Sequence, residues 1–201
     1  MEDVTSNPSF RQDIPDSLLD RLCEGDLEAF ELIYRQFEHP AFTLALRLTG
    51  QRETAQEVLQ DGMLKAFERI RQFRGDAPFW GWLRQLMVNE ALMHLRKHKR
   101  QDHGAFDEER HADASALPGP WQYADAQTLE RALTQLPDTA RAVLWLYHVE
   151  GYTHAEIAAQ FGRTTSFSKS QLARATQRLR TLLAAPDDAA DTLIPVTGTA
   201  P

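Results

Sequence analysis

One stretch cuts this chain in two. Residues 101–125, QDHGAFDEERHADASALPGPWQYAD, are acidic, carry Pro118, Gly119 and Pro120, and show no sustained apolar period, so they read as a flexible linker. On both sides apolar residues recur at spacings of three and four, the period of a helix with one buried face. No strand-rich region and no internal repeat is visible. The expectation is an all-α chain of two small helical domains, with boundaries at 16–100 and 126–183, an N-terminus (1–15) and a tail (184–201) too polar to pack.

In the first half, Leu27, Phe30, Tyr34 and Phe37 fall on one helix face, with Asp26 placed to cap the start and Gly50 to stop the helical pattern. A second helix is expected from about residue 53 to 73, with Val58, Leu59, Met63, Ala66, Phe67 and Ile70 on its apolar side. After a loop marked by Gly75 and Pro78, a third carries Leu83, Met87, Ala91 and Leu95 at intervals of four.

Charge is distributed by segment. The formal net charge of -7 combines -8 over residues 1–61, +6 over 62–100, -6 over 101–150, +4 over 151–183 and -3 in the tail. Two basic blocks separated by an acidic one suggest two surfaces for a polyanion, since binding follows local potential more than the total. The first block ends FWGWLRQLMVNEALMHLRKHKR, aromatic at one end and basic at the other. Aromatic faces beside clustered Lys and Arg suit an unstacked nucleic-acid strand.

Other classes find little support. No apolar run approaches the ~20 residues that span a bilayer, and the acidic start MEDVTSNPSFRQD lacks the pattern of a secretory signal. The expected location is therefore the cytoplasm. The single cysteine, Cys23, sits in an apolar helical pattern and reads as a buried thiol. His94, His98 and His103 lie close in sequence and the first two share a helix face, but four cationic neighbours and the absence of nearby carboxylate or cysteine ligands oppose a dication, so no metal is expected there. There is no Gly-rich phosphate loop and no nucleophile, His and acid arrangement, so no cofactor and no catalytic residue is assigned.

Residues 153–180 have the outline of a helix-turn-helix. Thr153 can cap a short helix THAEIAAQF, Ala158 is small where two helices must approach, and Gly162 can supply the positive φ of the turn. The second helix turns Leu172, Ala175, Leu179 and Leu182 inward. It leaves Lys169, Ser170, Arg174 and Arg178 for a DNA groove and its phosphates. One position is unusual: six residues after Gly162, where an apolar core residue is expected, stands Ser168, with Phe167 beside it.

Together the two halves resemble bacterial RNA polymerase sigma factors of the extracytoplasmic-function (ECF) type, which keep only regions 2 and 4. The first half carries GDLEAFELIYRQF and the order FRGD, aromatic, Trp82, Leu83, Asn89 and a basic run. The second carries LERALTQLPDTARAVLWLYHVEGYTHAEIAAQFGR and KSQLARATQRLR. The resemblance implies core RNA polymerase as partner, through its clamp and flap regions, with the first domain (region 2) gripping the clamp and melting the minus-ten element, capturing a flipped base. Phe73, Arg74, Gly75, Asp76, Phe79, Trp80 and Asn89 match that capture site, and Trp82 is read as core. Arg96, Lys97, Lys99 and Arg100 would hold phosphates at the upstream edge of the bubble. Region 4 would read the minus-thirty-five duplex through Arg163, Thr165, Ser166, Lys169, Ser170, Arg174 and Arg178.

One departure matters. Where the family carries Asp-Ala-Glu-Asp before its clamp-binding segment, this chain has Thr54-Ala55-Gln56-Glu57, leaving Glu57, Gln60 and Asp61 as the polymerase-binding candidates. A phosphate on Thr54 would add close to two negative charges there, and members of the family lacking the acidic motif include some activated by threonine phosphorylation. The implied regulatory partner is a Ser/Thr protein kinase or an anti-sigma factor. Two alternatives account for part of the sequence: a conventional helix-turn-helix regulator with a sensing or dimerising N-terminal half, and a decoy that binds polymerase without opening promoters.

Overall fold

The computed structural model describes residues 14–101 and 124–184, with side chains described for 14–97 and 128–184. The described residues form eight α-helices and one 3-10 turn and no strand. The linker, the extreme N-terminus and the tail lie outside the described residues, apart from the ends of the helices that border them.

Helix α1 spans Asp16–Cys23, and α2 spans Leu27–Thr49. Asp26 starts α2 because its carboxylate accepts from the backbone N–H of Glu28 at 2.8 Å and of Ala29 at 3.2 Å, two donors the first turn would leave unpaired. Gly50 ends it at φ 71°, its N–H returning to the Leu46 carbonyl at 2.7 Å. The helix runs through Pro40 without a break. Its buried stripe is Ala29, Ile33, Phe37, Ala41, Leu44 and Leu48, which corrects the face expected from the sequence. Leu27 is 70% exposed. Phe30 and Tyr34 lie on the flank, where Phe30 meets Phe67 with ring centroids 4.9 Å apart. The small Ala29 and Ala41 mark the inward side better than the large residues do.

Helix α3, Arg52–Glu68, stops earlier than the sequence suggested, and a 3-10 turn, Ile70–Gln72, carries Ile70 into the core before the chain leaves the helix at Phe73. Helix α4, Phe79–Gln101, packs antiparallel to α3 and turns Leu83, Met87, Ala91 and Leu95 inward, as its four-residue period required. Gly62 lets the two helices approach, since a Cβ there would overlap the Met87 thioether. Lys65 of α3 meets Glu90 of α4 at 2.6 Å; Glu90 is only 7% exposed, so its charge is both buried and paired.

The second half contains α5 (Ala124–Thr134), α6 (Asp138–His148), α7 (His154–Phe161) and α8 (Thr165–Ala184). Helix α6 is buried on two sides. Ala140 and Leu144 join Leu136 and Ala175 in a small core inside this half. Ala142, Val143 and Leu146, with Ile157 of α7, instead extend the core of the first half. The two halves therefore share one apolar surface, chiefly between α2 and α6 and between α4 and α7. A helix that is apolar on most of its circumference, as ARAVLWL is, has to be buried on most of its circumference.

Candidate nucleic-acid and polymerase interface

The aromatic start of α4 is a cluster. Phe79 is 3% exposed. Its ring lies 5.4 Å from Phe37, 5.4 Å from Phe73 and 5.5 Å from Trp82. A ring enclosed in this way cannot offer a face to a base, so the assignment of Phe79 to the capture site is corrected to core. Trp80 is half-buried and stacks on Phe37 at 5.9 Å, nearly parallel, and Trp82 leans on Phe73 at 5.6 Å. The loop before the cluster is open: Arg74, Gly75 and Asp76 are exposed, with Gly75 at φ 74° turning the backbone outward. Phe73 is half-buried between loop and cluster.

Farther along α4, Asn89 is half-buried, and its side-chain oxygen is enclosed without a hydrogen-bond partner among the described residues. An enclosed amide oxygen in this condition costs free energy that a donor could recover. Arg96 and Lys97 are exposed, and Arg96 Nε donates to the Leu92 carbonyl at 3.1 Å. Lys99 and Arg100 continue α4, but their side chains lie outside the described residues.

Glu57, Gln60 and Asp61 are exposed along α3. The structure adds a residue that the sequence reading placed elsewhere. His94 reaches across from α4, with one ring nitrogen 3.1 Å from Asp61 and the other 3.5 Å from Glu57. Carboxylates thus do lie near His94, contrary to the impression from its sequence neighbours. They meet opposite ring nitrogens, and among the described residues no group of three ligands could hold a metal ion. The antiparallel pairing of α3 and α4 is the information that a one-dimensional reading lacked. Thr54, in the first turn of α3, is 6% exposed and donates to Gln51 Oε1 at 3.3 Å.

The helix-turn-helix forms from its caps. Thr153 Oγ1 accepts from Glu156 N–H at 3.2 Å while the Glu156 carboxylate accepts from Thr153 N–H at 2.8 Å, a reciprocal capping box. The Thr153 backbone N–H, and then its hydroxyl, hold the Glu156 carboxyl below the usual carboxylate range. Gly162 closes α7 at φ 61°. Ser168 is fully buried, and its hydroxyl meets His154 Nδ1 at 3.0 Å, with the Tyr147 ring stacked on His154 at 4.6 Å. A polar pair therefore replaces the expected apolar contact. Phe167 is half-buried against Phe161 at 5.7 Å, so it fills part of that space as well.

Arg163 is exposed in the turn before α8, and Thr165, Ser166, Lys169, Ser170 and Arg174 are exposed along its start and middle, whereas Arg178 is half-buried. Ser170 Oγ donates to the Phe167 carbonyl at 2.9 Å. A helix with this polar and cationic outer face, backed by Ala175 at 1% exposure, can enter a major groove.

Known proteins match this arrangement. Residues 33–101 fit the family model described as Sigma-70 region 2, and residues 126–179 fit Sigma-70, region 4. The chain is 33% identical over 160 residues to the ECF RNA polymerase sigma factor SigM of Mycobacterium tuberculosis, covering 79% of each chain. It is 28% identical to the RNA polymerase sigma-H factor of Pseudomonas aeruginosa over 84% of this chain and 93% of that one. Among solved structures, the sigma factor RpoE of Bartonella quintana, in complex with the anti-sigma factor NepR, aligns with TM-score 0.52 and 26% identity over 78% of this chain and 98% of that one. The aromatic loop, the exposed basic recognition helix and these matches agree: the chain belongs to the ECF sigma factors of bacterial RNA polymerase, the proteins that serve transcription initiation.

Proposed function

We propose that this chain acts in the cytoplasm, binds core RNA polymerase at the clamp and flap, and directs it to promoters without catalysing a reaction itself. What supports this reading is the coexistence in one chain of two surfaces whose chemistry suits different nucleic-acid forms. The first is an open loop with aromatics and Asn89, for a single strand, and the second is the outer face of α8, for a duplex. A conventional helix-turn-helix regulator needs only the second. The domain limits that go with this function are 16–100 for core and minus-ten binding and 126–183 for minus-thirty-five binding. In vitro transcription tests it: added to core polymerase, the chain should produce transcripts with discrete 5′ ends, and a duplex binder that gave none would contradict it.

Control of the polymerase grip is the finer part of the reading. With Thr54-Ala55-Gln56-Glu57 in place of the acidic motif, the exposed carboxylates around it on α3 are Glu53, Glu57 and Asp61. A phosphate on Thr54 would stand in the first helical turn, where the backbone dipole favours negative charge. Because Thr54 is buried and bonded to Gln51, a Ser/Thr protein kinase would have to open that turn to reach it. Core-polymerase binding of wild type, Thr54→Ala and Thr54→Glu decides the point: tighter binding by Thr54→Glu is expected, and equal affinity for all three removes it. An anti-sigma factor, of the kind bound to the Bartonella protein, is the alternative controller.

A further inference from the structure

The carboxylates proposed for polymerase already have a partner inside the chain. Glu57 and Asp61 stand one turn apart on α3, their side chains 64% and 50% exposed, and His94 of α4 reaches both with a ring only 12% exposed. One ring nitrogen is 3.1 Å from Asp61 and the other 3.5 Å from Glu57. A neutral imidazole has a single N–H, so it can donate to one of these carboxylates while its bare nitrogen faces the other. Only the doubly protonated ring presents an N–H to each. With that cation in place the ring and the two carboxylates together carry one negative charge, and without it they carry two.

The other charged groups around His94 are engaged elsewhere or stand in solvent. On α4 itself Glu90, one turn earlier, is paired with Lys65 of α3 at 2.6 Å, and Arg96 and Lys97 follow, both exposed. His98, one turn later, has its side chain outside the described residues. On α3, Glu53 is exposed one turn before Glu57. On the side of α2, Arg47 meets Glu130 at 3.5 Å and the Trp145 ring, and Arg52 lies over the Phe42 ring. Where the second half meets α4, Arg84 is paired with Glu150 at 2.8 Å.

The difference in exposure has a chemical consequence. A partner that recognises this face through its carboxylates must present cations to them, and it can approach from solvent without disturbing the packing of α3 on α4. Ion pairs this open to water are weak, so such a cation can take the place of the imidazolium. The ring then gives one proton to solvent, and both carboxylates keep their charge.

We propose that His94 and core polymerase compete for Glu57 and Asp61, so that polymerase binding releases a proton from His94 and tightens as pH rises. The inference rests on the reading above that these carboxylates face polymerase. His94 is on this account a positioning residue: it holds the two carboxylates in the free chain and yields them to the partner. The sign follows from linkage, since a partner that prefers the deprotonated form gains affinity as protons become scarce.

The test measures the affinity of the full chain for core polymerase between about pH 6 and about pH 8, the range in which histidine side chains change charge. The readout is the ratio of wild type to His94→Gln, in which titration of polymerase itself cancels. Relative to His94→Gln, wild type should lose affinity about threefold or more from the upper to the lower end of that range, within the roughly tenfold per pH unit that one linked proton allows. Calorimetry in two buffers of different ionisation enthalpy should show more proton release on binding by wild type than by His94→Gln. Asp61→Asn, on the exposed side of α3, serves if His94→Gln folds poorly: it should weaken binding at the upper end of the range and flatten the pH dependence. A ratio that stays constant with pH would overturn the proposal, as would equal proton release or an unchanged pH dependence in Asp61→Asn. A packing role alone for His94 predicts that constant ratio together with a lower melting temperature of His94→Gln. If the ratio were constant while Asp61→Asn still weakened binding, the competition would fall and the polymerase face would stand; if Asp61→Asn bound as tightly as wild type throughout, both would fall.

Discussion

The two candidate nucleic-acid surfaces of this chain are built to opposite specifications. On α8 the candidate side chains are already exposed on a regular helix, and a duplex groove, itself regular, can be met by a preformed surface. At the start of α4 the aromatics cover one another instead: Phe37, Phe73, Phe79, Trp80 and Trp82 form one connected cluster. A base that must first leave its stack needs a site ready to receive it, and exposed aromatics waiting for it would form an adhesive patch. On the proposed reading, the difference teaches that residues of one chemical type would serve fold and recognition together in the first half, whereas in the second the inward and outward faces of one helix would divide those tasks.

This contrast can be broken most sharply at Phe79. Phe79→Ala should lower stability by about 3–5 kcal/mol, read as a lower melting temperature, because it empties the middle of the cluster. A change within experimental error would mean that Phe79 is free for DNA after all. Lys169→Ala and Arg174→Ala should do the reverse. Each should leave melting unchanged, weaken binding to a minus-thirty-five duplex by roughly 1–3 kcal/mol if it touches a base, and reduce the salt slope by ~1 if it touches a phosphate. Equal binding at all salt concentrations would remove that residue from the interface.

Smaller effects sharpen the account of the helix-turn-helix. Thr153→Ala removes the cap of α7 and should cost about 1 kcal/mol of stability, measured by denaturant unfolding. A pH series adds a sign. Glu156 is held below the usual carboxylate range by Thr153, so its contribution is present above that range and lost as pH falls through the depressed value. The stability gap between wild type and Glu156→Gln should therefore narrow in acid; a gap that widened would contradict the capping geometry.

Much of the fold was legible in the sequence, because Asp26, Gly50, Thr153 and Gly162 act locally and a one-dimensional reading captures local chemistry. The period of α4 was legible for the same reason. The face of α2 was not: Phe30 and Tyr34 are large but flank the core, while the small Ala29 and Ala41 occupy it, and size alone does not show which face meets a neighbour. Within the candidate sites, the exposure of Thr165, Ser166, Lys169, Ser170 and Arg174 follows the amphipathic pattern of α8, while Arg178 is half-buried against it. His94 beside Glu57 and Asp61, His154 beside Ser168, and Arg141 on Gly50 depend on helices meeting in space. No spacing along the chain encodes those pairs. The one available signal was ARAVLWL, too apolar on too many sides for a helix with a single buried face.

The central claim is that the first half opens and captures a strand while the second half only positions the duplex. Fluorescence of 2-aminopurine placed in the non-template strand of the minus-ten element, in complexes with core polymerase, tests it directly. Wild type should give a rise that Asn89→Ala loses while still binding the promoter. Lys169→Ala should reduce the amount of complex without changing the signal per complex. A full signal from Asn89→Ala, or a loss per complex in Lys169→Ala, would contradict the division of labour between the two halves.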